Sequence, residues 1–191
     1  MQKPKTDLYI AYGSNLNLGQ MKHRCPTAEV VGAAELEGYD LLFRGSRHSA
    51  VATVEPLEGG KVPVLLWKLK PRDEAALDVY EGWPSFYRKE IREIEFGGKT
   101  VPAMVYVMND GHDYGEPSSY YYNTIREGYE SAIQSGMTEF NVDYLDDAVG
   151  RSTELAQIQD LYESEMLLEQ QDADGLDFDE DQQNLFGMKW W

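Results

Sequence analysis

Through most of the chain, apolar and aromatic residues come in short runs broken by glycine or proline, the pattern of strands joined by turns. Asp7–Tyr12 predicts a short strand ended by Gly13-Ser14-Asn15, followed by a short helix from Asn17 that stops at Pro26. Ala28–Arg44 predicts two extended stretches around Gly38. Val51–Glu55 and Val62–Leu69 predict a hairpin across Glu58-Gly59-Gly60. Val64-Leu65-Leu66-Trp67 is continuously apolar, which implies a strand buried on both faces.

Helical signals are fewer. Pro71 suits a first helical position, and Arg72–Tyr80 would place Ala75, Ala76 and Val79 on one packed side before a break at Glu81-Gly82-Trp83-Pro84. Tyr87–Phe96 and Thr100–Met108 predict a second hairpin across Gly97-Gly98. Pro117 and Ser118 open a helix over Ser119–Ser135, closed by Gly136. A last helix is expected over Val142–Gln170, packing through Leu145, Val149, Leu155, Ile158, Leu161 and Leu168. Strands do not alternate with helices, so the fold class is α+β: a small mixed β-barrel or strongly bent sheet flanked by helices. No internal repeat is present.

Charge divides this picture in two. The 191 residues carry 34 acidic and 17 basic side chains, a formal charge of −17, but residues 139–191 alone hold 15 acidic and two basic, Arg151 and Lys189. Residues 1–138 thus form a nearly balanced body, and 139–191 an acidic C-terminal extension with a helical start. Within the extension, 170–184 reads as solvated, whereas Leu185-Phe186-Gly187-Met188-Lys189-Trp190-Trp191 is too apolar to leave in water. Each large side chain is worth roughly 1.5–3 kcal/mol when buried. That terminus is expected to dock on the body or on a neighbouring subunit, which makes it a candidate device for homo-oligomer assembly.

Several classes are disfavoured. Without clustered Lys and Arg, nucleic acid and anionic membrane are poor partners. No apolar run reaches membrane-spanning length and Met1–Lys5 has no signal-peptide core, so a cytoplasmic location is expected. A single Cys25 permits neither an internal disulfide nor a Cys-rich zinc site. His23, His48 and His112 lack ligand spacing. Asp172–Asp177 departs from a calcium loop, because Gly175 falls at its fourth position and Gln183 takes the place of the final Glu. No metal or cofactor is expected.

Two features carry candidate chemistry. Tyr12-Gly13-Ser14-Asn15-Leu16 stands at a strand end before a helix, where successive N–H groups bind a carboxylate or phosphate. The same residues also describe an ordinary strand-to-helix turn, with Ser14 or Asn15 capping the helix. The glycine spacing and Lys of a phosphate loop are missing. Glu81 ends a helix among Tyr80, Trp83, Phe86 and Tyr87, where desolvation would raise its pKa toward that of a general base; the alternative is a partly exposed Glu. Asp78, one turn earlier, is expected on the solvated face. Cys25 reads as a structural thiol, and Ser14 is in no nucleophile elbow.

In their order, Tyr12–Leu16 after the first strand, Glu81-Gly82 with Tyr87 following, and Tyr120 in Glu116–Tyr120 before a long helix resemble the gamma-glutamylcyclotransferase family, which includes gamma-glutamylamine cyclotransferases and AIG2-like proteins. The resemblance covers residues 7–136 and not the acidic extension. It implies a small β-barrel flanked by helices, with a cavity between the first loop and Glu81. It also implies cofactor-independent conversion of a small γ-glutamyl amino acid or amine to 5-oxoproline, with release of the amine. In that reading Glu81 is the catalytic acid/base, and Tyr12, Gly13, Ser14, Asn15 and Leu16 bind the glutamyl moiety through backbone N–H groups. Tyr87 and Tyr120 line the pocket. A non-catalytic module that binds a small ligand or recruits a partner on the same scaffold is the alternative.

Overall fold

The computed structural model describes residues 6–177, and side chains as far as residue 171. Five strands, β1 (Leu8–Ala11), β2 (Glu29–Arg44), β3 (Val51–Lys68), β4 (Tyr87–Phe96) and β5 (Lys99–Met108), form one sheet in the order β2-β3-β1-β5-β4. A 3-10 turn (Ser14–Leu16) follows β1. The helices are α1 (Leu18–Arg24), α2 (Pro71–Tyr80), α3 (Ser119–Gln134) and α4 (Val142–Asp177). The fold is α+β, as the run of strands before the long helices predicts.

The shortest strand is the most central. Tyr9, Ile10 and Ala11 of β1 are buried, antiparallel to β3 with Ile10 opposite Leu66 and parallel to β5 with Ile10 opposite Val105. Because consecutive residues point to opposite faces, burial of all three means that both faces of β1 are covered, which accounts for its unbroken apolar run. Val64, Leu65, Leu66 and Trp67 of β3 are buried in the same way. The chain leaves the C-terminal end of β1 directly into the loop that builds the site.

The predicted hairpin across Glu58-Gly59-Gly60 does not exist. β3 runs unbroken from Val51 to Lys68, and both of its halves pair with β2, whose two expected stretches are likewise one strand. The reversal lies instead between Arg44 and Val51. The register shifts between Glu37, opposite Lys61, and Tyr39, opposite Pro56, so that β3 holds three extra residues there. There Gly60 lies so close to the Tyr39 backbone that a Cβ would stand 2.3 Å from its carbonyl oxygen. The glycines therefore make a bulge that bends a long hairpin and do not end it.

The barrel is corrected in the same direction. No ladder joins edge strands β2 and β4 among the described residues, so the sheet is open. It is bent enough for the Phe96 ring at the end of β4 to lie against Gly32 of β2. The second hairpin does form as predicted, with Tyr87 opposite Met108 and Phe96 opposite Lys99.

Two helix faces differ from expectation. In α2 the buried residues are Asp73 and Leu77, while Val79 is 84% exposed and Ala75 is exposed. Asp73 is drawn inward because its carboxylate accepts from the Lys70 amide at 3.0 Å and the Thr27 hydroxyl at 2.7 Å, and a buried carboxylate needs such donors. In α4, Leu145, Ala148, Ser152 and Ala156 are buried. Arg151 holds Asp40 of β2 through two bonds of 2.9 and 2.6 Å, and Ser152 accepts from the Phe43 amide at 2.9 Å. Ile158, Leu161 and Leu168, expected as contacts, are exposed, because the helix runs past the end of the sheet and continues to Asp177 instead of stopping at Gln170. The apolar stretch 185–191 and its expected docking lie outside the described residues, as does the acidic run beyond Asp177. No helix among the described residues is long and apolar enough to cross a membrane.

Candidate functional site

Glu81 sits at the C-terminal cap of α2, and its placement follows from the residue after it. Gly82 takes a left-handed backbone (φ 62°), its N–H bonds the Val79 carbonyl at 3.3 Å, and the Trp83 N–H bonds that of Asp78 at 2.9 Å. This pair of bonds stops a helix and reverses the chain. Glu81 is thereby aimed at the end of β1 and not into solvent.

From the other side, the 3-10 turn after β1 delivers Ser14 and Asn15, both buried. Neither caps α1: Asn17 does, accepting from the Gln20 amide at 3.0 Å. Nor does Gly13 need a glycine-only torsion, since its φ is −115°. It is needed for space, because a Cβ there would stand 3.2 Å from both Ala52 Cβ and the Tyr121 hydroxyl. The amides of Leu16 and Asn17 are spent closing the turn onto the Gly13 and Ser14 carbonyls, at 2.9 and 3.2 Å. The Leu16 N–H is therefore not available to a ligand.

Loop and helix end meet. The Asn15 side-chain amide donates to Glu81 Oε1 at 2.8 Å and to the Tyr9 hydroxyl at 2.8 Å. They line one cavity of about 200 Å³, walled by Tyr9, Tyr12, Gly13, Ser14, Val51, Ala52, Tyr80, Phe86, Tyr87, Tyr106 and Tyr121. Burial pushes the Glu81 carboxyl up to about 7, against the lowering effects of the Asn15 bond and the Arg24 charge. The negative pole of α2 is also the less favourable end for a carboxylate. A group poised this way exchanges protons near neutral pH.

Tyr12, Gly13, Ser14, Asn15, Glu81 and Tyr87 all reach this cavity, and two of the expected residues do not. Leu16 is buried beneath it against Gly128 of α3, so it holds the loop in place. Tyr120 is 74% exposed and points to the surface, where its hydroxyl lies 3.4 Å from Gln20 Nε2. The next residue, Tyr121, lines the cavity instead. The helical pattern carries the reason: Ile125, Gly128 and Ala132 are buried, and Tyr121 shares their face while Tyr120 is rotated off it.

Sequence reading also missed Tyr9, Tyr106 and Arg24. Tyr9 and Tyr106 are strand residues whose faces show only once β1 and β5 are paired. Their signal was their density, since Tyr9, Tyr12, Tyr39, Tyr87 and Tyr106 all fall within predicted strands. The hydroxyls divide into two kinds. Tyr12 donates to the Tyr106 carbonyl at 2.6 Å, Tyr87 to the Ala52 carbonyl at 2.6 Å, and Tyr106 to Asp78 at 2.5 Å. Tyr9 and Tyr121 accept instead, from Asn15 and from the Ala52 amide at 3.3 Å, which leaves their protons for a ligand. Asp78 is accordingly not on a solvated face: it takes Tyr106 and, at 2.6 Å, Lys89.

The alternate residues of the same strands, Thr53, Arg88 and Val107, line a second cleft of about 260 Å³ on the opposite face. Its guanidinium groups are tied up with carboxylates, Arg44 with Glu55 and both Arg88 and Arg92 with Glu90. Its remaining acid, Asp110, is exposed to solvent. No cluster of three His, Cys, Asp or Glu suited to a metal occurs among the described residues.

The chain is similar to known proteins. The family model described as gamma-glutamyl cyclotransferase, AIG2-like, matches residues 9–127. The gamma-glutamylcyclotransferase of Mus musculus is 29% identical over 136 residues, covering 66% of this chain and 72% of the mouse protein. That of Homo sapiens is 29% identical over 130 residues, covering 63% and 69%. A solved gamma-glutamyl cyclotransferase structure superposes with a TM-score of 0.65 at 25% identity, over 75% of this chain and 86% of the other. The matched span includes the loop after β1, Glu81 and the first turns of α3, and the chain belongs to the gamma-glutamyl cyclotransferase, AIG2-like family of enzymes.

Proposed function

We propose that the protein is a γ-glutamyl cyclotransferase, converting a small γ-glutamyl amino acid or amine to 5-oxoproline and the free amine. The observation that carries the reading is the Asn15–Glu81 contact: a carboxyl with a pKa of about 7, held at 2.8 Å by the loop after β1, in a cavity of side-chain size.

The chemistry asks little more of the protein. The substrate's α-nitrogen attacks its own δ-carbonyl carbon, forming the ring C–N bond as the bond to the leaving nitrogen breaks. Two protons leave the α-ammonium as it becomes the lactam N–H, and two are gained by the leaving nitrogen, which departs as an ammonium. Glu81 accepts a proton from the first nitrogen and returns one to the second. Holding the glutamyl chain in a cyclisable conformer gives the attack a large effective molarity. Tyr9 and Tyr121, whose protons are uncommitted, donate to the substrate's oxygens. Tyr12, Tyr87, Gly13 and Ser14 shape the walls.

A panel of γ-glutamyl amino acids and γ-glutamyl amines, assayed for 5-oxoproline, tests this. Release from at least one member is expected, together with its loss in Glu81→Gln. No release from any member, or full activity in Glu81→Gln, would overturn the reading.

A further inference from the structure

We propose that Arg24 is a positioning residue for this chemistry: its guanidinium fixes the orientation of the Asn15 amide, and through it presents Glu81 to the substrate. The proposal rests on the cyclotransferase reading of the site. Arg24 does not line the cavity, so it acts through Asn15 and not on the substrate.

The geometry leaves one arrangement. Arg24 Nη1 lies 2.6 Å from Asn15 Oδ1. A guanidinium has five N–H donors and no acceptor, so the end of the amide that faces it must be the oxygen. The –NH2 end then faces the other way, and both of its hydrogens are used, one on Glu81 Oε1 and one on Tyr9, each at 2.8 Å. A rotated amide would set N–H against N–H at Arg24 and oxygen against carboxylate at Glu81. On that side a hydroxyl, which both donates and accepts, would meet either end of the amide; a charge-assisted bond to a donor-only group admits only the oxygen.

Arg24 is itself held from three elements. Its Nη2 donates to Gln20 one turn earlier in α1, at 2.6 Å. Its guanidinium lies 3.6 Å from the centroid of the Tyr80 ring, the residue before Glu81. The Tyr80 hydroxyl is 3.0 Å from Ser14 Oγ in the loop. One cation thus joins α1, the loop and the end of α2, the parts that must stay in register for Asn15 to meet Glu81.

The electrostatics point the same way. Besides Tyr80 at the end of its own helix, the titratable groups facing Glu81 are Tyr9 from β1, Tyr12 from the loop, Tyr87 from β4, Tyr106 from β5 and Tyr121 from α3. Burial raises all five above the usual phenol range, which keeps them neutral. Arg24 is the charged group that acts on the carboxyl, and its effect is to lower a pKa that burial has raised. Removing it lets Glu81 hold its proton to higher pH and takes away the contact that fixes the oxygen end of the Asn15 amide.

The test compares Arg24→Met and Arg24→Lys with the full-length wild type, read in two independent ways. With glutamate labelled at the δ-carbon with 13C, the Glu81 resonance is identified by its absence in Glu81→Gln and titrated by NMR without substrate. Arg24→Met should raise that midpoint by about one unit, and Arg24→Lys, which keeps the charge, should bring it back toward wild type. In turnover of whichever γ-glutamyl compound the wild type accepts, Arg24→Met should lower kcat roughly 10–100-fold, with KM changed much less. A wild-type midpoint in Arg24→Met, whether or not its melting temperature falls, would overturn the proposal and leave Arg24 a structural role alone. Absence of turnover in the wild type would overturn the cyclotransferase reading instead, while the titration still judges Arg24.

Discussion

The Asn15 amide and the Glu81 carboxylate are 66 positions apart in sequence and 2.8 Å apart in the fold. Each is placed by a local device, Asn15 by the 3-10 turn that ends β1 and Glu81 by the glycine-closed end of α2. Their meeting requires the pairing of β1 with β3, which leads into α2. The contact links backbone chemistry to function.

Glu81→Gln keeps the size of the side chain and the bond from Asn15 through its amide oxygen, but cannot take a proton. Loss of a general acid/base typically costs 10²–10⁴ in rate, and a decrease of roughly that size in 5-oxoproline release is expected. Its melting temperature should be no lower than wild type at pH 8, because no ionised carboxylate then has to be buried. An unfolded Glu81→Gln protein would contradict this.

The pH dependence has a defined sign. A base with a pKa of about 7 gives kcat/KM that rises with pH to a plateau above that value. Stability runs the opposite way. The folded carboxyl keeps its proton to about 7 and the unfolded one loses it near 4.5, so the folded state binds more protons in that window. Its stability therefore falls as pH rises through the window and levels off above it. In urea unfolding at a series of pH values, wild type should lose stability relative to Glu81→Gln across that window, shared groups such as Asp73 cancelling in the difference. Equal slopes would show that Glu81 is not the group responsible.

Neighbouring tyrosines should differ sharply. Tyr121→Phe removes a hydroxyl that faces the cavity, and one lost hydrogen bond of about 1 kcal/mol lowers kcat/KM by about fivefold or more. Tyr120→Phe alters an exposed ring and should change activity less than about twofold. Steady-state kinetics of both variants decides between the two residues.

Two helical glycines give a matched pair. A Cβ on Gly128 of α3 would lie 2.6 Å from Leu16 Cβ and 2.8 Å from the Leu16 carbonyl carbon. Gly128→Ala must push the site loop away, at a cost of about 1–3 kcal/mol, with activity falling alongside the melting temperature. Gly150 of α4 has open space around it, so Gly150→Ala should stabilise by about 0.5–1 kcal/mol with unchanged activity. Thermal melts and turnover of the two variants check both statements.

Local signals were legible from residues alone. The strand before Gly13, the helix opening at Pro71, the Gly97-Gly98 hairpin and the Ser118-to-Gly136 helix are settled within a few residues by turn and cap chemistry. The errors arose where a residue's meaning depends on a distant partner. Gly59-Gly60 reads as a turn until Tyr39 is placed against it. Val79 reads as core until Asp73, held by Thr27, rotates α2. The apolar residues late in α4 read as contacts although the sheet ends before them.

The site divides along the same line. Turn chemistry and a carboxylate among aromatics are local statements, and they marked the loop Tyr12–Leu16 and Glu81 as candidates, each with an ordinary structural alternative, between which the family resemblance chose. Which tyrosine faces the cavity, which amide hydrogens remain free, where Asp78 points and what Arg24 holds were decided by tertiary structure. Those properties are set by directions in space: one residue along a helix turns a side chain by about 100°, and a hydrogen bond is committed only when its partner arrives from another part of the chain.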